Sequence, residues 1–389
     1  MKGEEKINIL FVLPNFDTGG SEKLVFDIIK HIDKSKFAPV LCVFFTGKLE
    51  ETFLKLGVPF YVIHRDRILS KWQTARFISD IVRRYHIEVV NTHHASPLIQ
   101  GFVPFRMLNR VRWIHTEHLP LNYDPNTTSV TLFLNKILLK SVDKVVGISQ
   151  GVCDYFRDEL RVPVSKIVKI LNGIDVSRFQ SLGPDARCQM RDALGIAKDD
   201  IVIGMFANFR KQKNHGCLIR AFALLKGRTD NGVRSTEKSV KLLLAGDGPE
   251  LENSKNLCQE LGLNFLDLKT SEPSSVLRSP FSILFTGARH DIPDLMNAID
   301  IYCLPSHFEG LPFSLIEAFA AGKQVVATDV PGNRDVVAEI GQGVLVEPNN
   351  PGKLAEALLR SMENGIRSTE NSKNPSSVIC FPFSFKDML

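Results

Sequence analysis

The sequence predicts an α/β protein built from two doubly wound domains. Three observations carry that expectation. The chain has 389 residues, more than one hydrophobic core of ordinary size serves, so two domains are expected. Short apolar runs rich in β-branched residues recur along it, which is how strands covered on both faces of a parallel sheet read. Helix-length stretches separate those runs, as crossovers between parallel strands require.

A first series runs INILFVLP (7–14), APVLCVFF (38–45), VPFYVI (58–63), IEVVNT (87–92), RVRWIH (110–115) and DKVVGI (143–148). A second runs IVIGMF (201–206), VKLLLAG (240–246), SILFTG (282–287), IDIYCLP (299–305) and QVVATD (324–329). The join falls near LNGIDVSRF (171–179), ahead of a polar stretch. The expected domains are therefore 1–175 and 176–365, with an atypical tail at 366–389. Ligands of open α/β sheets bind beyond the carboxyl ends of the strands. A cleft faced by both domains is the expected site.

Composition narrows the class. The chain is 44% apolar and 23% charged, ordinary for a globular protein. A net charge of +5 favours anionic ligands or an anionic membrane surface and is too small to argue for nucleic acid. Cys42, Cys153, Cys188, Cys217, Cys258, Cys303 and Cys380 are scattered without a C-x-x-C, which reads as reduced packing residues in a cytoplasmic protein. No apolar run reaches the roughly 18 residues of a membrane span. INILFVLP is short and follows mixed charges, so it reads as a strand and not a signal peptide. Arg mixed with apolar residues at 76–87 and 105–115 suggests peripheral contact with an anionic membrane, or simply a solvated helix face.

Four stretches carry candidate chemistry. After the first strand, Gly19 and Gly20 allow close backbone approach and Ser21 is a candidate cap for the next helix. A glycine-rich helix start binds anions or sugars through backbone N–H groups, and equally serves as a plain turn. MFANFRKQKNH (205–215) places Arg210, Lys211 and Lys213 past a strand end, where cations neutralise a diphosphate or lie solvated. AGDGPELE (245–252) puts Gly246 and Gly248 in a tight turn, but Leu251 breaks the G-x-G-x-x-G of a nicotinamide site.

The fourth stretch, SHFEGLPFSLIEAFAAG (306–322), holds Glu309 on a loop and Glu317 inside an apolar run. Pro312 suits a helix start and Gly322 a helix end. Leu315, Ile316 and Phe319 form the buried face. Backbone N–H groups of Gly310 and Leu311 then face an anion, with Glu309 beside it and Glu317 about one and a half turns deeper. Carboxylates accept hydrogen bonds from sugar hydroxyls. A nucleotide sugar fits: phosphates at the helix start and one Glu for each sugar.

These motifs together resemble the GT-B-fold retaining glycosyltransferases of family 4, the "glycosyl transferases group 1" type. The resemblance rests on E-x7-E at Glu309 and Glu317, and on G-G-x-E at Gly19, Gly20 and Glu22. ILNGID (170–175) and the whole of 291–337 add to it. It covers roughly residues 7–363 and implies two Rossmann-like domains facing a cleft. It implies that Glu317 holds the donor's ribose, Glu309 the transferred sugar, and Arg210 and Lys213 the diphosphate. Many relatives carry that Arg where this chain has Asn208. His93 of NTHH matches the family's histidine beside the anomeric carbon, with His94 as runner-up. His118 of HTEH and Glu22 line the same side.

Without D-x-D or H-E-x-x-H, no metal site and no cofactor are expected. The co-substrate is a UDP- or GDP-linked sugar. The resemblance further implies front-face attack, the departing phosphate taking the acceptor's proton, with Glu309 a sugar-binding group and not a nucleophile. A glycan or lipid-linked acceptor in surface-polysaccharide or glycolipid assembly is the expected partner. The alternatives are a nucleotide-sugar 2-epimerase and a non-catalytic remnant that still binds nucleotide.

Two features depart from the family pattern. NFLDLKTSEPSSVLRSPFS (264–282) lengthens the link before SILFTG. NGIRSTENS (364–372) repeats NGVRSTEKS (231–239) at seven of nine positions, and PSSVICFPFS (375–384) repeats PSSVLRSPFS (273–282) at seven of ten. A translated repetitive DNA insertion accounts for both, and chance similarity of Ser-rich loops is the alternative. FSFKDML (383–389) matches only the first turns of the family's crossover helix, and this short tail together with the lengthened link supports the remnant alternative.

Overall fold

The computed structural model describes residues 6–16, 19–100, 110–121, 127–180, 183–230, 239–270 and 279–368. The repeated text at 231–238 and 369–384, the middle of the long link, and all but the first residues of the expected tail lie outside them. The described chain forms two compact units, one running to Gly173 and the other beginning at Ile174.

The first unit holds a seven-stranded, all-parallel sheet. Its strands are β1 (Ile7–Leu13), β2 (Phe37–Val43), β3 (Phe60–Val62), β4 (Val89–His93), β5 (Arg112–Glu117), β6 (Lys144–Gly147) and β7 (Ile167–Lys169), in the order β3-β2-β1-β4-β5-β6-β7. The chain winds outward from β1 to β3, then returns to β4 on β1's other edge. The winding therefore reverses between β1 and β4, whose ends lie side by side in the register Val12↔Thr92. Side chains beyond that pair of carboxyl ends border a crevice. The glycine pair and NTHH both lie there because of this topology. Helix α1 (Gly20–His31) follows β1, and α2 (Lys71–Arg84) leads to β4. Arg76, Arg83 and Arg84 are exposed on α2, the solvated face allowed for this segment.

The second unit repeats the logic. Its strands are β8 (Ile201–Phe206), β9 (Val240–Ala245), β10 (Asn264–Asp267), β11 (Phe281–Gly287), β12 (Ile301–Leu304), β13 (Gln324–Thr328) and β14 (Val344–Val346), ordered β10-β11-β9-β8-β12-β13-β14, all parallel. The reversal falls between β8 and β12, paired as Ile203↔Ile301. The loops after these two strands carry Arg210 and Lys213 on one side and Glu309 on the other. Helices used below are α3 (Pro184–Ala193), α4 (His215–Asp230), α5 (Leu251–Glu260), α6 (Phe313–Ala320), α7 (Pro331–Ile340) and α8 (Pro351–Ser368).

Three strands depart from the sequence expectation: β7, β10 and β14 carry no long apolar run. Each spans three or four residues. β7 and β14 end one side of each sheet and β10 ends the other side of the second. Short edge strands bury little and leave a weak pattern. β10 takes up the first four residues of 264–282, which pair with β11. Beneath the sheets, Asp300 ties α3 to β12 by accepting from Arg187 at 2.6 Å and Arg191 at 2.9 Å, and from the Val202 amide at 2.8 Å.

Candidate active site

In the first unit, His93 ends β4 and is 1% exposed. Its Nδ1 lies 2.9 Å from His118 Nε2, and the two rings stack with centroids 5.2 Å apart. One ring nitrogen must donate and the other accept, so two imidazolium ions do not fit. Burial pushes both rings well below the usual histidine range. Among the described residues, His93 Nε2 is buried without a hydrogen-bond partner, an acceptor or donor ready for a ligand hydroxyl.

His94 takes a left-handed backbone, φ +66°, unusual for a residue with a Cβ. Its ring stands 4.7 Å from that of His118 and its Nδ1 3.5 Å from Glu117 Oε1. Burial pushes His94 down, but the carboxylates of Glu117 and Glu22 outweigh it and leave the ring above its ordinary value. Glu117 is 1% exposed at the end of β5. Burial pushes its carboxyl up, and the imidazoles of His115 and His94 outweigh that, holding it well below the carboxylate range. Neither Glu117 nor His115 stood out in the sequence. The signal was the alternation in RWIHTEH, which sends His115 and Glu117 to the same face of β5.

Gly19 is the N-cap of α1 and Gly20 its first residue. Ser21 is not the cap expected of it: it lies inside the helix, and its hydroxyl donates to Glu22 Oε2 at 2.8 Å. Glu22 is 5% exposed, and its carboxylate folds back against Gly19, where a Cβ would collide with it. The helix start thus already holds a negative group, favoured there by the helix dipole. A sugar hydroxyl suits this place better than a phosphate.

In the second unit, Lys213 Nζ donates to Glu309 Oε1 at 2.6 Å, and Ser306 Oγ donates to the same oxygen at 2.6 Å. Glu309 and Glu317 are each 6% exposed. Gln212 braces the loop, accepting from the His307 amide at 2.8 Å and donating to Phe308 O at 3.0 Å. Gly310 and Leu311 are buried just before α6, whose N-cap is Pro312. Gly322 closes the helix with φ +67°. Gly332, in the first turn of α7, lies against this loop: a Cβ there would stand 2.5 Å from Gly310 O and 2.6 Å from Glu309 O.

Arg210 stands apart from the Lys213–Glu309 pair. It lines a groove of about 520 Å³ with Lys211, His215 and Arg220 of α4, Glu250 and Asn253 near the start of α5, and His307. His215 is buried, stacks on Phe209 with centroids 3.8 Å apart, and is pushed down to about 3 by burial, with Lys213 adding to the effect. Gly248 serves packing: its φ is +148°, and a Cβ would stand 2.5 Å from Phe209 O. Among the described residues, no three or more His, Cys, Asp or Glu side chains are grouped to hold a metal ion, and no helix is long and apolar enough to cross a membrane.

Comparison with known proteins agrees with this architecture. The family described as Glycosyltransferase Family 4 matches residues 18–178, and that described as Glycosyl transferases group 1 matches residues 200–364. UDP-Gal:alpha-D-GlcNAc-diphosphoundecaprenol alpha-1,3-galactosyltransferase of Escherichia coli is 24% identical over 299 residues, covering 76% of this chain and 72% of its own. Lipopolysaccharide core biosynthesis mannosyltransferase LpsB of Rhizobium meliloti is 28% identical over 62% of this chain and 61% of its own. Anabaena HepE, solved in complex with UDP-glucose, shares the fold with a TM-score of 0.75 at 21% identity, over 93% of this chain and 91% of that one. Two family matches, one on each doubly wound unit, make this chain a glycosyltransferase of the family 4, group 1 type.

Proposed function

We propose that this glycosyltransferase is retaining and metal-independent, and moves a sugar from a nucleotide-sugar donor to a glycan or lipid-linked acceptor in surface-polysaccharide or glycolipid assembly. The observation that carries the proposal is the Lys213–Glu309 pair, set between the two strand ends where the second sheet reverses, with Glu317 on the helix that follows. A diphosphate there draws on Lys213 and the start of α6, which meet the leaving group's charge without a metal. Glu309 and Glu317 accept hydroxyls of the transferred sugar and the ribose. Arg210 turns from its own groove to act as the second cation for the diphosphate, and His93 and His118 address the transferred sugar. The UDP in the HepE complexes and in the name of the Escherichia coli relative favours UDP over GDP. The diphosphoundecaprenol in one relative's name and the lipopolysaccharide core biosynthesis in the other's favour a lipid-linked acceptor and work at the cytoplasmic membrane face.

The mechanism is front-face: the departing phosphate oxygen takes the acceptor's proton as the new bond forms on the side the leaving group quits. Slow hydrolysis of the donor tests it, with water as acceptor and EDTA present. Proton NMR of the first sugar released from an α-linked donor is expected to show the α anomer. Release of the β anomer, or activity abolished by EDTA, would overturn the reading.

A further inference from the structure

Glu117 lies at the centre of a directed chain of hydrogen-bonding groups within the first unit. Trp113 Nε1 donates to Thr92 Oγ1 at 3.0 Å. An indole N–H only donates, so the Thr92 oxygen is the acceptor there, and its own proton can go to Ile114 O, 3.5 Å away, or to His115. His115 Nδ1 lies 3.0 Å from that hydroxyl. The other nitrogen of His115, Nε2, stands 3.6 Å from Glu117 Oε2. Both atoms are buried, and among the described residues neither has a hydrogen-bond partner. A carboxylate accepts only, so the arrangement is consistent when His115 carries its proton on Nε2 and turns it to Glu117. The other oxygen, Oε1, accepts from the His118 amide at 3.1 Å and lies 3.5 Å from His94 Nδ1. One buried carboxylate therefore touches three of the four histidines gathered at the ends of β4 and β5.

We propose that Glu117 is a positioning residue for transfer: it holds His94, in its left-handed conformation, and the peptide that carries His118, and so aims both imidazoles at the reacting sugar. This rests on the reading of the chain as a nucleotide-sugar transferase. His94 is faced by Glu117 from β5, by Glu22 from α1, and by the rings of His93 and His118. The carboxylate favours the protonated ring. Without it the ring loses its nearest anion and its fixed direction.

The test pairs ring chemistry with turnover in the full chain. In ¹⁵N-histidine-labelled protein, the neutral His115 ring is expected to carry its proton on Nε2, and His94 to titrate above the usual value of about 6.5. In Glu117→Gln, His94 is expected to titrate lower, and donor turnover to fall about tenfold or more, while UDP still raises the melting temperature as in the wild type. His94→Gln is a third exposed and suits the case where Glu117→Gln folds poorly. Its loss is expected not to multiply with that of Glu117→Gln in the double variant. Unchanged His94 titration in Glu117→Gln, or losses that multiply, would overturn the proposal. If the wild type turns over no nucleotide sugar, the transferase reading fails instead, and the ring titrations still decide whether Glu117 holds His94.

Discussion

Lys213 and Glu309 share one short contact, and that contact decides what a ligand must do. A diphosphate that reaches Lys213 competes with Glu309 for it, while Ser306 keeps Glu309 Oε1 occupied. Hydrogen bonds to charged groups contribute about 1.5–3 kcal/mol. Lys213→Ala is therefore expected to weaken nucleotide binding about ten- to hundredfold by calorimetry. Equal affinity in the variant would remove Lys213 from the site. The two glutamates were legible because one sits on a loop and the other in an apolar helix, a pattern that suits a strand-loop-helix corner. Glu117 was not legible. Its partner His94, and the Thr92 that meets His115, lie on another strand end, and single-sequence reasoning does not see that β4 and β5 pair in the register Thr92↔His115.

At the scale of elements, close backbone approach shapes the second unit's loops. Gly332 lets the first turn of α7 lie against the carbonyls of Glu309 and Gly310, both fixed backbone atoms. Gly332→Ala is expected to cost about 1–3 kcal/mol and to weaken nucleotide binding through the displaced Glu309 loop. A variant with wild-type stability and affinity would show that the loop yields freely. The central strands were readable because burial on both faces makes them continuously apolar. The short edges β7, β10 and β14 were not. The helix start of α1 was readable as a glycine turn, but the carboxylate of Glu22 lying over it was not, since nothing local says which way a glutamate folds.

For the molecule as a whole, acidification has a defined sign. His93 and His118 are held below the unfolded value of about 6.5, so the unfolded chain binds more protons as pH falls. Their contribution to stability is present above about pH 6.5 and is lost as pH drops through and below it. His94 acts oppositely, contributing below that pH and losing its contribution as pH rises through its raised folded value. His215, pushed down to about 3, acts with His93 and His118, so with three rings against one the melting temperature is expected to fall between pH 7 and 5, and less steeply in a His93→Gln, His118→Gln double variant. Equal slopes in the two proteins would contradict neutral burial of the pair.

The central claim is that the second unit holds the donor nucleotide between Lys213, Glu309 and Glu317. Thermal shift against UDP, GDP and ADP without metal, beside Glu317→Ala, tests it most directly. A ligand at about a hundred times its dissociation constant adds about 2.7 kcal/mol to the state that binds it. One nucleotide, expected to be UDP, should raise the wild-type melting temperature by several degrees and leave Glu317→Ala unmoved. No rise with any nucleotide, or an equal rise in the variant, would contradict the account.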